Sequence, residues 1–348
     1  MSITFGERSL VCLILLHLSY GSIAFADPLS SLFPSHSLTL QKGVGSFGLL
    51  FSYQHSGDFY DSSGTKQGTF SDNSQQSYHS FISTIASAYG LTDRLTLSLA
   101  IPIVYRKETK TFDAQDSGLG DVTTGARFRF FGAEDLSYEF AFELNGKFPT
   151  GDTDVSFSDP STGKKAELPL GAGNSDISLG VLAKQHFGKR ISLEEKIAYT
   201  FRLDALVEYL STSSVGFTAD DGTVFTLPIG NLKIDWGDEV WAGATLMWEV
   251  FPNFALASHV QYLYRRPTII EDFLIAPNGA SIDSSRQNIN ISSAHFLNIR
   301  PSLLSQITKD LKLAASVELP ILGENYPTLY FVESMVGLRY QLELHYGF

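Results

Sequence analysis

Read from its carboxy end, the chain alternates without a break. Val336, Leu338, Tyr340, Leu342, Leu344, Tyr346 and Phe348 are apolar, while Gly337, Arg339, Gln341, Glu343, His345 and Gly347 between them are small, polar or charged. Successive strand side chains point to opposite faces, so the segment is a strand with one apolar and one wet face. Strands of soluble proteins average about 5–6 residues, whereas a tilted strand of about 9–11 residues crosses a bilayer. The length of the alternation predicts the second. Leu338, Tyr340, Leu342, Leu344, Tyr346 and Phe348 then face lipid, and the strand's aromatic end is the part the barrel-assembly machinery would engage.

The same period recurs along the chain. Expected strands run at about 44–55 (Phe47, Leu49, Phe51, Tyr53 outward), 77–90 (Phe81, Ile85, Tyr89) and 95–106 (Leu95 to Tyr105 on odd positions). Others are marked by Val122 to Phe130, Leu136 to Leu144, Ile177 to Val181, Ile191 to Leu203, Val240 to Val250, Phe254 to Tyr264, Leu297 to Leu303 and Leu311 to Ile321. With the closing strand this makes about twelve, an even number. The connections alternate long and short, the short ones being turns such as Thr92-Asp93-Arg94, Gly188-Lys189-Arg190 and Phe251-Pro252-Asn253. Outer-membrane barrels have short periplasmic turns and longer extracellular loops, whereas a soluble sandwich has no such asymmetry. The pattern predicts an all-β chain folded as a transmembrane antiparallel up-and-down β-barrel. Two positions fit poorly. Pro301 interrupts the tenth strand, and Glu195 falls on the outward face of the seventh unless a bulge re-aims it.

The amino terminus changes the picture by naming a compartment. Arg8, the apolar run Leu10 to Leu18 and Ala24-Phe25-Ala26 form a secretory signal over 1–26. Residues 27–43, with Pro28 and Pro34, read as a periplasmic lead-in or a lumen segment, and 44–348 as the barrel. The only cysteine, Cys12, lies in the signal, so no disulfide, thiolate nucleophile or cysteine metal site is expected after its removal. A hydrophobic fraction of 43% with mean hydropathy near zero suits strands half in lipid and half in water. The localisation that follows is the bacterial outer membrane, with outer-membrane lipids as surroundings.

The net charge of −12 falls in the long loops, where solvation is its ordinary role. The inward face is mixed. Arg106, Arg127, Arg129, Lys147, Lys184, Lys196, Arg202, Arg265, Arg300, Lys312 and Arg339 alternate inward, as do Glu139, Glu143, Glu194, Glu239, Glu249, Glu318 and Glu343, with Asp121 and Asp176. Ionised side chains are seldom buried unpaired, so ladders of ion pairs should cross the lumen. Twelve strands lie between filled eight-strand barrels and open sixteen-strand porins. A narrow or partly filled pore is expected.

Three Gly-rich motifs sit at loop–strand junctions: Gly118-Leu119-Gly120-Asp121-Val122, Lys147-Phe148-Pro149-Thr150-Gly151-Asp152 and Gly171-Ala172-Gly173-Asn174-Ser175-Asp176. In that order they resemble the outer-membrane β-barrel transporter family named for the meta-pathway of phenol degradation. The resemblance implies transport of small, often aromatic or hydrophobic compounds, and supplies no substrate-contacting residues. Turn geometry and close backbone approach explain the glycines physically.

Other chemistries find little footing. His79 and His295 fall outward near extracellular ends without an evident Ser partner, and His186, His259 and His345 are inward and scattered, without metal-ligand spacing. No phosphate-binding loop opens a helix, and no basic nucleic-acid surface exists. The expected function is passive passage of a small-molecule solute, without catalysis, cofactor or metal. The alternatives are a lipid-modifying barrel enzyme and an adhesin-like barrel binding partners through its long loops.

Overall fold

The protein is described by a computed structural model covering residues 37–56, 58–60, 66–68, 77–109, 115–132, 137–153, 170–203, 205–209, 216–218, 224–226, 230–235, 237–276, 286–291, 293–324 and 338–348. The expected signal segment, with Cys12, lies outside these residues. Twelve strands form the barrel: β1 (Gly45–Ser56), β2 (Ser77–Thr92), β3 (Leu95–Thr109), β4 (Val122–Phe131), β5 (Tyr138–Phe148), β6 (Asp176–Phe187), β7 (Ile191–Arg202), β8 (Glu239–Phe251), β9 (Phe254–Arg265), β10 (Ala294–Gln306), β11 (Leu311–Glu324) and β12 (Leu338–Gly347). Each pairs antiparallel with its sequence neighbours, and β1 pairs with β12, which closes the sheet on itself. Closure leaves no barrel edge, as lipid demands of every backbone amide and carbonyl. Among the described residues there is no helix.

The register puts the two faces where alternation predicts. On β12 Tyr340 is 47% exposed and the next residue, Gln341, 7%. Opposite Tyr340 stands Tyr53, and opposite Gln341 stands Ser52. The outward belt includes Phe51, Phe81, Tyr105, Phe142, Leu179, Ile197, Leu246 and Leu342, all well exposed. Such a surface is costly in water and favourable in a hydrocarbon layer. The short turns between β2 and β3, β6 and β7, and β8 and β9 lie at the end that also carries both chain termini of the barrel. Two of these turns place Gly188 (φ 70°) and Asn253 (φ 71°) in the left-handed region, which Gly and Asn tolerate best.

Two departures from the expected elements have local causes. The ladder of β3 does not stop at the long connection. A short strand, Gln115–Leu119, continues the line of β4 along Ile103 to Lys107, after a kink at Gly120-Asp121 that gains one residue. Pro102 has no amide hydrogen to give there, but its carbonyl accepts the Gly120 amide at 2.9 Å. Second, the long stretches 204–236 and 267–290 contain strands Ala205–Tyr209, Gly230–Asp235, Thr268–Ala276 and Arg286–Ile291, which pair with one another. Their β-branched runs, such as Thr268-Ile269-Ile270, favour this. As its alternation predicts, β7 keeps register with both neighbours throughout. No bulge re-aims Glu195: it is exposed on the outward face, opposite Ala183 and Ala244.

Candidate functional site

Two clusters of ionisable side chains stand at the ends of the barrel's interior, and the inner one is built around the segment before β1. Residues 37–43 cross the mouth at the turn end. Leu38 is 3% exposed and packs on Ala141 of β5 and Leu182 of β6. The Leu40 amide donates to Thr96 Oγ1 at 2.8 Å, and the Lys42 amide to Asp93 Oδ1 at 2.9 Å. Gly90 lets this segment pass, because a Cβ there would stand 2.0 Å from the Gln41 carbonyl oxygen. Glu139 accepts from the Leu38 amide at 3.0 Å, from the Ser37 hydroxyl at 2.5 Å and from Arg129 at 3.2 Å, with His186 at 3.4 Å. Arg127 reaches the Leu38 carbonyl at 3.2 Å and Glu143 at 2.6 Å, and Glu143 also binds Lys196. Lys184 lies opposite Glu194 across β6 and β7, buried with it. The charges here therefore pair with each other and hold the segment through Ser37 and the Leu38 backbone.

The outer group gathers the three Gly-rich motifs at one place. Asp121 accepts the Ala172 amide at 2.8 Å and the Gly151 amide at 3.1 Å. The Thr150 hydroxyl donates to the Gly120 carbonyl at 2.9 Å and accepts the Val122 amide at 2.9 Å. Lys147 sits between Asp176 (2.8 Å), Asn174 Oδ1 (3.1 Å) and Asp121 (3.7 Å). Gly151 and Gly171 touch backbone to backbone, since a Cβ on Gly171 would stand 2.4 Å from Asp121 Oδ1 and 2.7 Å from Gly151 Cα. The motifs thus staple the connection after β5 to the start of β4, with Leu170 buried beside Gly118.

The remaining charges expected inward are distributed around the wall. Glu239 joins Arg202 (2.9 Å) and Arg265 (2.6 Å), all nearly inaccessible. Arg106 is 1% exposed and stands opposite Asp116. Arg300 donates to Gln341 at 3.0 Å; Arg339 contacts Gln54 at 2.9 Å and Glu318 at 3.8 Å; Glu343 pairs with His345 at 3.2 Å. Lys312 faces His345 across β11 and β12, and Glu249 is half-buried near the inner end of β8. The outward residues of β12, Leu338, Tyr340, Leu342, Tyr346 and Phe348, are exposed, and Leu344 is half-exposed.

Reading each strand for its outward face missed an apolar strip on the inward one. Gly180, Ala198, Trp241, Leu263, Phe296 and Gly323 are successive register partners across β6, β7, β8, β9, β10 and β11. Their alternation places them inside, with Leu263 and Ala198 buried and Trp241 and Phe296 half-buried. At about 4.8 Å per strand the strip runs about 24 Å around the lumen. The Trp241 ring stacks on His259 at 6.0 Å and lies under Lys196 Nζ at 5.1 Å, while its buried Nε1 has no acceptor among the described residues. The signal was present in the sequence only as a break in polarity at those inward positions.

His79 and His295, the histidines expected outward, have tyrosine partners. The Tyr53 hydroxyl meets His79 Nδ1 at 3.0 Å, and the Tyr262 hydroxyl meets His295 Nδ1 at 2.6 Å. Neither contact is to a serine.

No curated protein matches the chain. In fold it is similar to the COG4313 outer membrane channel from Pseudomonas putida F1, at 16% identity and a TM-score of 0.60, over 89% of this chain and 97% of that one. More distant in shape are the Pseudomonas putida toluene transporter TodX (10% identity, TM-score 0.45, covering 95% and 94%) and the NanC porin (6%, 0.43, covering 86% and 98%). Residues 56–205 match the family described as "Putative MetA-pathway of phenol degradation", the family that the three Gly-rich motifs, all within that span, resemble.

Proposed function

We propose that the chain is a passive outer-membrane channel whose lumen favours small aromatic or hydrophobic molecules. The observation that carries this reading is the continuous row of Ala198, Trp241, Leu263 and Phe296 on a wall whose charges are largely paired. Charges that neutralise one another at 2.6–3.2 Å, as in Arg127–Glu143, Arg265–Glu239 and Arg129–Glu139, offer little fixed field to a charged solute. An apolar ring can instead lie against Trp241 and gain contact area there. The family name and the solute named for TodX agree with this direction. No covalent step is assigned, and the ion pairs act as the wall's scaffold.

Uptake into vesicles with a glycolipid outer leaflet, itself slow to pass hydrophobic solutes, tests the reading. A panel of uncharged aromatic solutes and sugars should show aromatic flux well above sugar flux. Trp241→Ala should lower the aromatic flux about five- to tenfold, the effect of losing about 1 kcal/mol of ring contact, with sugar flux unchanged. Equal flux of both classes, insensitive to Trp241→Ala, would overturn it.

A further inference from the structure

We propose that the outward wall of β1, β2 and β3 carries a binding site for the phosphate group of an outer-leaflet glycolipid, formed by His55, His79 and Lys107. The three are register partners in one row across adjacent strands, His55 opposite His79 and His79 opposite Lys107. Strand alternation puts all three on the lipid-facing side with Tyr53, Phe81 and Tyr105, which form the next row inward. The imidazoles of His55 and His79 stack at 4.5 Å, and the Tyr53 hydroxyl fixes the His79 ring through Nδ1 at 3.0 Å. At about 4.8 Å between strands the trio spans about 10 Å, a width that a phosphate and its first contacts fill.

Height along the wall selects the ligand. His55 lies ten residues beyond Gly45, the start of β1. For strands tilted about 40° that is about 25 Å, the height of the lipid-facing band. Going outward, the wall reads apolar at Phe51 and Ile103, aromatic at Tyr53, Phe81 and Tyr105, and basic at His55, His79 and Lys107. The basic row therefore begins where acyl chains end and head groups start. Lys107 is the only Lys or Arg on the outward face of the barrel strands among residues with described side chains. At the turn end the outward ring is aromatic, with Phe187, Trp248, Phe251 and Phe254, and the exposed basic residues there, Arg94, Lys189, Arg190 and Lys309, lie in the turns rather than in a row on the wall. A cation with two imidazoles at the outer boundary alone matches an anionic head group that is itself confined to the outer leaflet.

The test uses the full-length protein refolded in detergent, with native mass spectrometry reading retained lipid. The probes are bisphosphorylated lipid A, the same glycolipid after removal of its phosphates, and inorganic phosphate. The wild-type protein should retain the bisphosphorylated lipid, and H55Q/H79Q/K107Q should retain about tenfold less, with K107Q alone about fivefold less. Retention of the dephosphorylated lipid should be weak and equal in all proteins. Heat-modifiable gel mobility confirms that each variant is folded; for a variant that does not fold, the phosphate-free lipid on wild-type protein gives the same comparison. Equal retention by wild type and triple variant, equal retention of the two lipids, or displacement by millimolar inorganic phosphate as complete as by lipid A would each overturn the proposal.

Discussion

Glu195 shows what a single residue can do against the grain of its surroundings. It faces outward in the middle of β7, between Leu193 and Ile197, with Ala183 and Ala244 opposite it on the flanking strands. Both neighbouring strands hold register past it, so the backbone does nothing to turn it inward. A carboxylate at this depth costs free energy in lipid, less than a Lys or Arg would but still appreciable. The two alanines leave room for the side chain to bend toward an interface and draw water with it. Replacing it should therefore help the fold: Glu195→Leu is expected to raise the unfolding free energy by about 1–2 kcal/mol in a urea titration of vesicle-inserted protein. Unchanged or reduced stability would mean that Glu195 meets a favourable partner at that position.

At the scale of elements, the segment 37–43 and the wall it crosses behave as one unit. Glu139 is the joint, since it is fully buried and accepts from Leu38, Ser37 and Arg129 at once. Gln at this position keeps the shape but cannot balance Arg129, and breaking a buried pair costs about 3–5 kcal/mol. Glu139→Gln is thus expected to lower stability by roughly that amount, and to raise single-channel conductance in a planar bilayer as Leu38 leaves Ala141 and Leu182. A variant that loses stability with unaltered conductance would show that the segment does not limit passage. The outer staple is a different kind of unit. Its glycines are fixed by the contact of Gly151 with Gly171 and by the amides aimed at Asp121, so its sequence signature reports architecture rather than a ligand.

For the whole molecule, the barrel was legible because lipid imposes a period of two on every strand and a length asymmetry on its connections. Tyr340 and Gln341, or Phe142 and Glu143, announce their sides by chemistry alone. The partners of each residue were not legible, because alternation says which side a residue faces and nothing about which residue stands beside it. Leu38 against Leu182 and Asp121 beneath Ala172 join segments far apart in sequence, and the row from Ala198 through Trp241 to Phe296 depends on the stagger of each strand on the next. The stagger can be tested directly. β1 and β12 meet with Ser52 opposite Gln341, both side chains inward, and opposed Cβ atoms in such a pair lie about 4.5–5.5 Å apart. The chain's only cysteine is Cys12, so a Cys12→Ser background isolates an introduced pair. S52C/Q341C should form a disulfide on mild oxidation, and the purified barrel should then resist heat unfolding on a gel until reduced. S52C paired with R339C, two residues out of step and about 7–8 Å apart, should cross-link poorly. Efficient bonding of the displaced pair in place of the aligned one would mean a different shear, and with it a different set of residues facing Trp241 across the lumen.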